Sequence, residues 1–282
     1  MIPPKQGFWK DSGMKIFPKK SLGQNFLINQ GILDKIVQAT EIDPEDIVIE
    51  IGPGTGNLTE KLAERAGRVM AIEKDSRLIE PLKEKFKNTN VEIIEGDALK
   101  INIGTLISTL LSKASGSWGD YKVVGNIPYY ITSILLRTIF EKWPRPKLIV
   151  LTVQKEVAQR IVAKPPDMNL LALSIQLYSD PKIVGYISKG SFRPMPKVDS
   201  AIIKLTPKNN EHGAMSTDHF FKLIKAGFSG KRKQLVNNLS KNFGMMKENL
   251  FKVFAQIGIK PDIRAENLSL DQWIELSKLM AK

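Results

Sequence analysis

Asn126-Ile127-Pro128-Tyr129 is the segment of this chain best matched to chemistry on a flat, weakly nucleophilic amine. The lone pair of an exocyclic base amine is delocalised into the ring. The amide oxygen of Asn126 and a backbone carbonyl near Ile127 or Pro128 can accept the amine hydrogens, which localises the pair and aims it at an electrophilic methyl group. Pro128 sets φ and brings no competing N–H, and Tyr129 offers a ring to a base swung out of its stack. Stacking of this kind is worth roughly 1–3 kcal/mol per base. No strong general base is needed, because the amine becomes acidic only as it is alkylated. Alone, the segment is also an ordinary Asn-x-Pro turn with a packed tyrosine. Its chemical reading rests on three features upstream.

The first is Glu50-Ile51-Gly52-Pro53-Gly54-Thr55-Gly56, between an expected strand and an expected helix. Glycines there let the chain turn sharply and let a ligand touch the backbone. The second is Glu73, 21 residues after Gly52 at the end of the next strand, where a carboxylate accepts hydrogen bonds from ribose hydroxyls. These two suit a dinucleotide as well as S-adenosylmethionine. The spacing Gly-x-Gly-x-Gly signals a pyrophosphate site less clearly than Gly-x-Gly-x-x-Gly. The third feature, Asp97 in Glu95-Gly96-Asp97-Ala98-Leu99, follows the third strand and can accept from an adenine amine, which favours S-adenosylmethionine. Glu73 and Asp97 also have a structural reading, as strand-end acids capping the next helices.

Composition narrows the alternatives. The chain has 282 residues, no cysteine and two histidines, His212 and His219, both in a polar linker-like stretch. Disulfides, thiolate metal sites and a Ser-His-Asp arrangement are therefore not expected, and no metal is assigned. A net charge of +13 suits a polyanionic partner such as nucleic acid, and equally a basic soluble surface. No apolar run approaches the ~18 residues of a membrane span, and the first 20 residues lack a secretory signal's apolar region. The expectation is a cytoplasmic protein without a membrane partner.

The elements that must position these residues follow an α/β pattern. Strands are expected at 47–51, 69–73, 91–94, 121–125 and 148–153, with helices at 58–66, 77–86, 106–111, 133–142 and 155–162. A helix at 170–178 then precedes extended runs at 182–187 and 198–205, read as a hairpin pair added to the sheet. The stretch 207–219 reads as a linker, and 220–282 as helical. The last 76 residues carry 13 Lys/Arg against 7 Asp/Glu. Lys231-Arg232-Lys233, after Gly227-Phe228-Ser229-Gly230, is a candidate phosphate-facing corner.

The chain closely resembles the ribosomal RNA small-subunit adenine N6,N6-dimethyltransferase family. The marks are Lys19-Lys20-Ser21-Leu22-Gly23-Gln24-Asn25-Phe26-Leu27, the glycine loop, Glu73, Gly96-Asp97-Ala98, Gly125-Asn126-Ile127-Pro128-Tyr129, residues 153–160 and Ser191-Phe192-Arg193-Pro194-Met195-Pro196-Lys197-Val198-Asp199-Ser200. The glycine loop is common to many methyltransferases, but the ordered set is specific. The resemblance implies a Rossmann-like class I methyltransferase domain at 18–206, a linker at 207–219 and a small all-helical rRNA-docking domain at 220–282. It implies an S-adenosylmethionine pocket lined by Asn25, Leu27, Gly52, Gly54, Glu73, Asp97 and Asn126. Asn126 would also hold the target amine, with Tyr129 and Phe192 sandwiching the adenine. The implied reaction is dimethylation of two adjacent adenines in the 3′-terminal hairpin of 16S rRNA, within the 30S subunit or its precursor, by a monomer that releases S-adenosylhomocysteine. Three other readings compete: a 23S rRNA adenine N6-methyltransferase, an assembly factor that keeps the fold and only binds RNA, and an NAD-dependent oxidoreductase. Residues 1–17 form an N-terminal extension outside the family pattern, free to be flexible, and 110–119 read as an insert without an assigned role.

Overall fold

Strand order reverses in the middle of the sheet, and that reversal locates the site. The computed structural model describes residues 17–111, 121–209 and 216–281. All but the last residue of the N-terminal extension, all but the first two residues of the 110–119 insert, and the middle of the linker with His212 lie outside the described residues. Along the chain come β1 (Phe26–Leu27), α1 (Gln30–Ala39), β2 (Ile47–Ile51), α2 (Asn57–Ala63), β3 (Arg68–Glu73), α3 (Ser76–Lys85), β4 (Val91–Glu95) and α4 (Ile103–Leu111). Then follow β5 (Tyr121–Asn126), α5 (Thr132–Lys142), β6 (Leu148–Gln154), α6 (Lys155–Ile161), α7 (Leu170–Gln176), β7 (Ser179–Ile187), β8 (Phe192–Arg193) and β9 (Ser200–Pro207). The chain ends in α8 (Thr217–Gly227), α9 (Leu235–Phe243), α10 (Lys247–Gln256) and α11 (Leu270–Met280).

The main sheet runs β4-β3-β2-β5-β6-β9-β7, parallel from β4 to β6, with β9 antiparallel to β6. Every residue of β2 is buried, as is β6 up to Val153, so these strands read as nearly unbroken apolar runs covered on both faces. From β2 the chain builds outward through β3 and β4, then returns to place β5 on the other side of β2. Loops leaving β2 and β5 diverge at that point and open a crevice at the carboxyl ends of the strands.

The five parallel strands stand where the alternating pattern put them. The extended runs at 182–187 and 198–205 do join the sheet, but the shorter ladder of β1 against β8, pairing Leu27 with Phe192, has no sequence signal at two residues per strand. Helix α1 is also new. Its start is set by Asn29, whose side chain accepts from the N–H of Ile32, and its Leu33, Ile36 and Val37 face the core.

The chain divides into two compact units: Met1–Ala158 with Lys182–Pro207, and Gln159–Pro181 with Lys208–Lys282. This corrects the expected single domain at 18–206. The apolar face of α7 is visible in the sequence, but its partner is not: Ala172, Leu173 and Leu177 are buried in one cluster with Phe220, Leu223, Phe254 and Trp273 of the C-terminal helices. In addition α8 begins at Thr217, capped by Ser216, inside the stretch expected as linker.

Candidate active site

At the crevice the sheet unit carries an open cleft with about 1030 Å³ of empty space. Asn25, Leu27, Gly52, Gly54, Glu73, Asp97, Asn126 and Tyr129 all line it, so eight residues singled out from the sequence converge on one place. Glu50, Thr55, Asn57, Lys74 and Tyr130 are among the further lining residues.

The glycine loop turns in the left-handed region, with φ of 72° at Gly52 and 60° at Gly54, which only glycine adopts without strain. A Cβ on Gly52 would have only the Asn126 carbonyl oxygen within 4 Å, so its backbone opens into the cleft. Glu73 sits beside the loop and is 6% exposed. Its Oε2 accepts from the N–H of Gly54 at 3.1 Å and its Oε1 from the N–H of Asp75 at 2.8 Å. Burial pushes this carboxyl above the ordinary carboxylate range, against the pull of those N–H groups. Asp97 accepts from Lys74 Nζ at 2.9 Å and from the N–H of Leu99 at 3.1 Å. Burial works to raise Asp97, but the Lys74 ammonium and the Leu99 N–H outweigh it and hold the carboxyl low.

Across the cleft, the strand register puts Asn126 directly opposite Thr152. Asn126 Nδ2 donates to the Asn25 carbonyl at 2.9 Å, which fixes the amide's orientation, and Oδ1 accepts from Thr152 Oγ1 at 2.5 Å. An amide oxygen has two lone pairs, so one of them stays available. The hydroxyl of the half-buried Tyr129 lies 2.6 Å from Ser200 Oγ. Burial raises the phenol above its ordinary range.

Phe192 departs from the expectation. It is fully buried in the core with Leu27, Leu33 and Ile187 and does not line the cleft. In β8 it pairs with Leu27, which puts the two side chains on one face of the ladder and into one buried apolar cluster. The basic run Lys231-Arg232-Lys233 belongs to the helical unit, on an exposed turn between α8 and α9. Asn238 holds that turn by donating to the carbonyls of Gly227, at 2.6 Å, and Gly230, at 3.1 Å.

Several contributors escaped the sequence reading. Thr152 is the one hydroxyl in Leu-Ile-Val-Leu-Thr-Val-Gln, and a polar residue flanked by buried apolar ones was the available signal. Glu50, read in the sequence only as the start of the glycine loop, is buried beside Thr59, and burial, foremost, pushes its carboxyl up to about 8 against the Thr59 hydrogen bond. Among the described residues no group of three or more His, Cys, Asp or Glu could hold a metal ion, and no helix is long and apolar enough to cross a membrane.

Known proteins are similar to this chain in sequence and fold. The family model described as Ribosomal RNA adenine dimethylase matches residues 17–282. A relative from Dehalococcoides mccartyi strain BAV1, called Ribosomal RNA small subunit methyltransferase A, is 44% identical over 266 residues, covering 94% of this chain and 89% of its own. The crystal structure of a dimethyladenosine transferase from Plasmodium falciparum superposes with a TM-score of 0.76 at 31% identity, over 91% of this chain and 97% of that one. The 23S rRNA methyltransferase ErmE shares the fold, with a TM-score of 0.72 at 24% identity over 92% of this chain and 100% of its own. With the cleft, the glycine loop and the Asn126 turn in place and a family match over residues 17–282, this chain belongs to the ribosomal RNA adenine dimethylase family.

Proposed function

We propose that the chain dimethylates the N6 amine of two adjacent adenines in the 3′-terminal hairpin of 16S rRNA, using S-adenosylmethionine and releasing S-adenosylhomocysteine. Its substrate is the small ribosomal subunit or a precursor of it, which makes the reaction a step of ribosome biogenesis. Family membership supports the base and the reaction, and the name of the Dehalococcoides relative supports the subunit. One chain carries both the cleft and the basic turn, so a monomer suffices for the proposal.

The observation that carries it is the Asn126 amide, fixed by Asn25 and Thr152 at the rim of a cleft with two buried or half-buried acids opposite. The cleft's residues fit the methyl donor. The backbone at Gly52 is open to a ligand, because a side chain there would have only the Asn126 carbonyl oxygen within 4 Å. When bound, the donor supplies a methyl group on a sulfonium. Glu73 would accept from its ribose hydroxyls, Asp97 from its adenine amine, and Asn25, Leu27 and Gly54 would border it. The free lone pair of Asn126 Oδ1 accepts one hydrogen of the target amine, and the Tyr129 ring, anchored through Ser200, stacks on the extruded base. Lys231, Arg232 and Lys233 would meet rRNA phosphates.

The experiment is incubation with labelled S-adenosylmethionine and purified 30S or 50S subunits from a strain lacking both modifications, followed by mapping of the labelled nucleotides. Label is expected on the two adjacent adenines of the 30S hairpin. Label on a 50S adenine overturns the assignment in favour of the 23S reading, and subunit binding without any label favours the assembly factor.

A further inference from the structure

A second constellation lies behind the cleft, around a carboxylate that does not line it. Asp75 has a side chain with no exposed surface, yet it is surrounded by donors from two parts of the chain. Its Oδ2 accepts from Gln24 Nε2 at 2.9 Å and from Arg77 Nη2 at 2.6 Å, and its Oδ1 from Arg77 Nε at 2.9 Å. The Lys19 ammonium lies 3.6 Å from Oδ1. Arg77 reaches on to the carbonyl of Phe17 at 3.2 Å, while Gln24 Oε1 accepts from the N–H of Lys19 at 2.7 Å. The segment 17–24 is thus fastened at several points to one buried carboxylate.

The same segment continues into the cleft wall. Gly23, Asn25 and Leu27 line the cleft, the Asn25 carbonyl orients the Asn126 amide, and β1 fastens the far end to β8. On its other side Asp75 gives its own N–H to Glu73. One residue therefore touches both the strap and the acid opposite it.

We propose that Asp75 is a positioning residue that clasps the strap 17–27 against the sheet, so that affinity for the methyl donor depends on a carboxylate outside the donor's reach. This inference rests on the donor assigned to the cleft under the proposed function. A simpler role also fits the geometry, because Asp75 caps α3 by accepting from the N–H of Arg77. The two roles separate on substitution. Asp75→Ser keeps a good helix cap and the backbone N–H to Glu73, but its short hydroxyl cannot bridge Gln24 and the Arg77 guanidinium. Arg77→Gln leaves the carboxylate and the cap in place and removes the reach to Phe17.

The test uses the full chain, with S-adenosylhomocysteine affinity by calorimetry and amide hydrogen exchange in the absence of ligand. With the clasp, Asp75→Ser weakens binding about tenfold and speeds exchange across 18–27 by a similar factor, while β2, β3 and β5 exchange as in the wild type. Arg77→Gln shifts both readouts the same way, by about threefold. Strap exchange unchanged in both variants, or binding within about twofold of wild type despite a loosened strap, overturns the proposal and leaves Asp75 a helix cap. Because exchange is read without ligand, a wild type that binds no S-adenosylhomocysteine would refute the donor assignment while strap exchange still decides whether the clasp exists.

Discussion

The two halves of the cleft hold their functional groups by different means. On the β2-β3-β4 side, both oxygens of Glu73 and one of Asp97 are held by backbone N–H groups, with Lys74 on the other oxygen of Asp97. On the β5-β6-β9 side, the oxygen of Asn126 and the hydroxyl of Tyr129 are held by the hydroxyls of Thr152 and Ser200 on β6 and β9, and only the Asn126 Nδ2 has a backbone partner, the Asn25 carbonyl. Backbone donors are fixed by the loop itself and survive most substitutions. Cross-strand side chains position a group only while both partners are present. The first half suits tight, shape-fixed capture of a small ligand, and the second suits accurate aiming of one atom.

Asn126→Ala breaks the aiming half most severely. Single-turnover methyl transfer to undermethylated small subunits should fall about 1000-fold, while subunit binding, measured by sedimentation, stays within about threefold. Thr152→Val sharpens the comparison, because it removes the hydroxyl and leaves Asn126 intact. Transfer should slow about tenfold, or about 1.4 kcal/mol of lost orientation, in the same assay.

Glu50, on the capture side, bears on stability rather than on transfer. Its carboxyl stays protonated in the folded chain up to about pH 8, while the unfolded chain ionises near the ordinary value. Native stability is therefore unaffected well below the unfolded value and falls progressively as pH rises towards the folded one. Glu50→Gln removes that penalty. Without ligand, the apparent thermal midpoint of the variant should exceed the wild type's by several degrees more at pH 8 than at pH 5.

The capture half was largely legible in the sequence, and the aiming half only in part. Gly52, Glu73 and Asp97 sit at successive strand ends, so their convergence follows from alternating strands and helices. Thr152 and Ser200 act through β6 and β9, strands whose positions beside β5 and beside each other depend on the whole sheet rather than on local pattern. Phe192 failed for a related reason. Its motif was readable, but the two-residue pairing of β8 with β1 decides which way its ring points, and so short a ladder leaves no alternation to read. The α7 helix shows the same limit at the scale of a unit: its apolar face was evident, while the helices that cover it lie more than 40 residues further along the chain.

The most direct measurement determines donor affinity and single-turnover transfer rate side by side for Glu73→Gln and Thr152→Val. If the halves divide the work as described, Glu73→Gln weakens S-adenosylmethionine binding about 30-fold with transfer at saturating donor within about threefold of wild type, and Thr152→Val slows transfer with binding unchanged. Both variants moving both constants to the same extent would contradict the division.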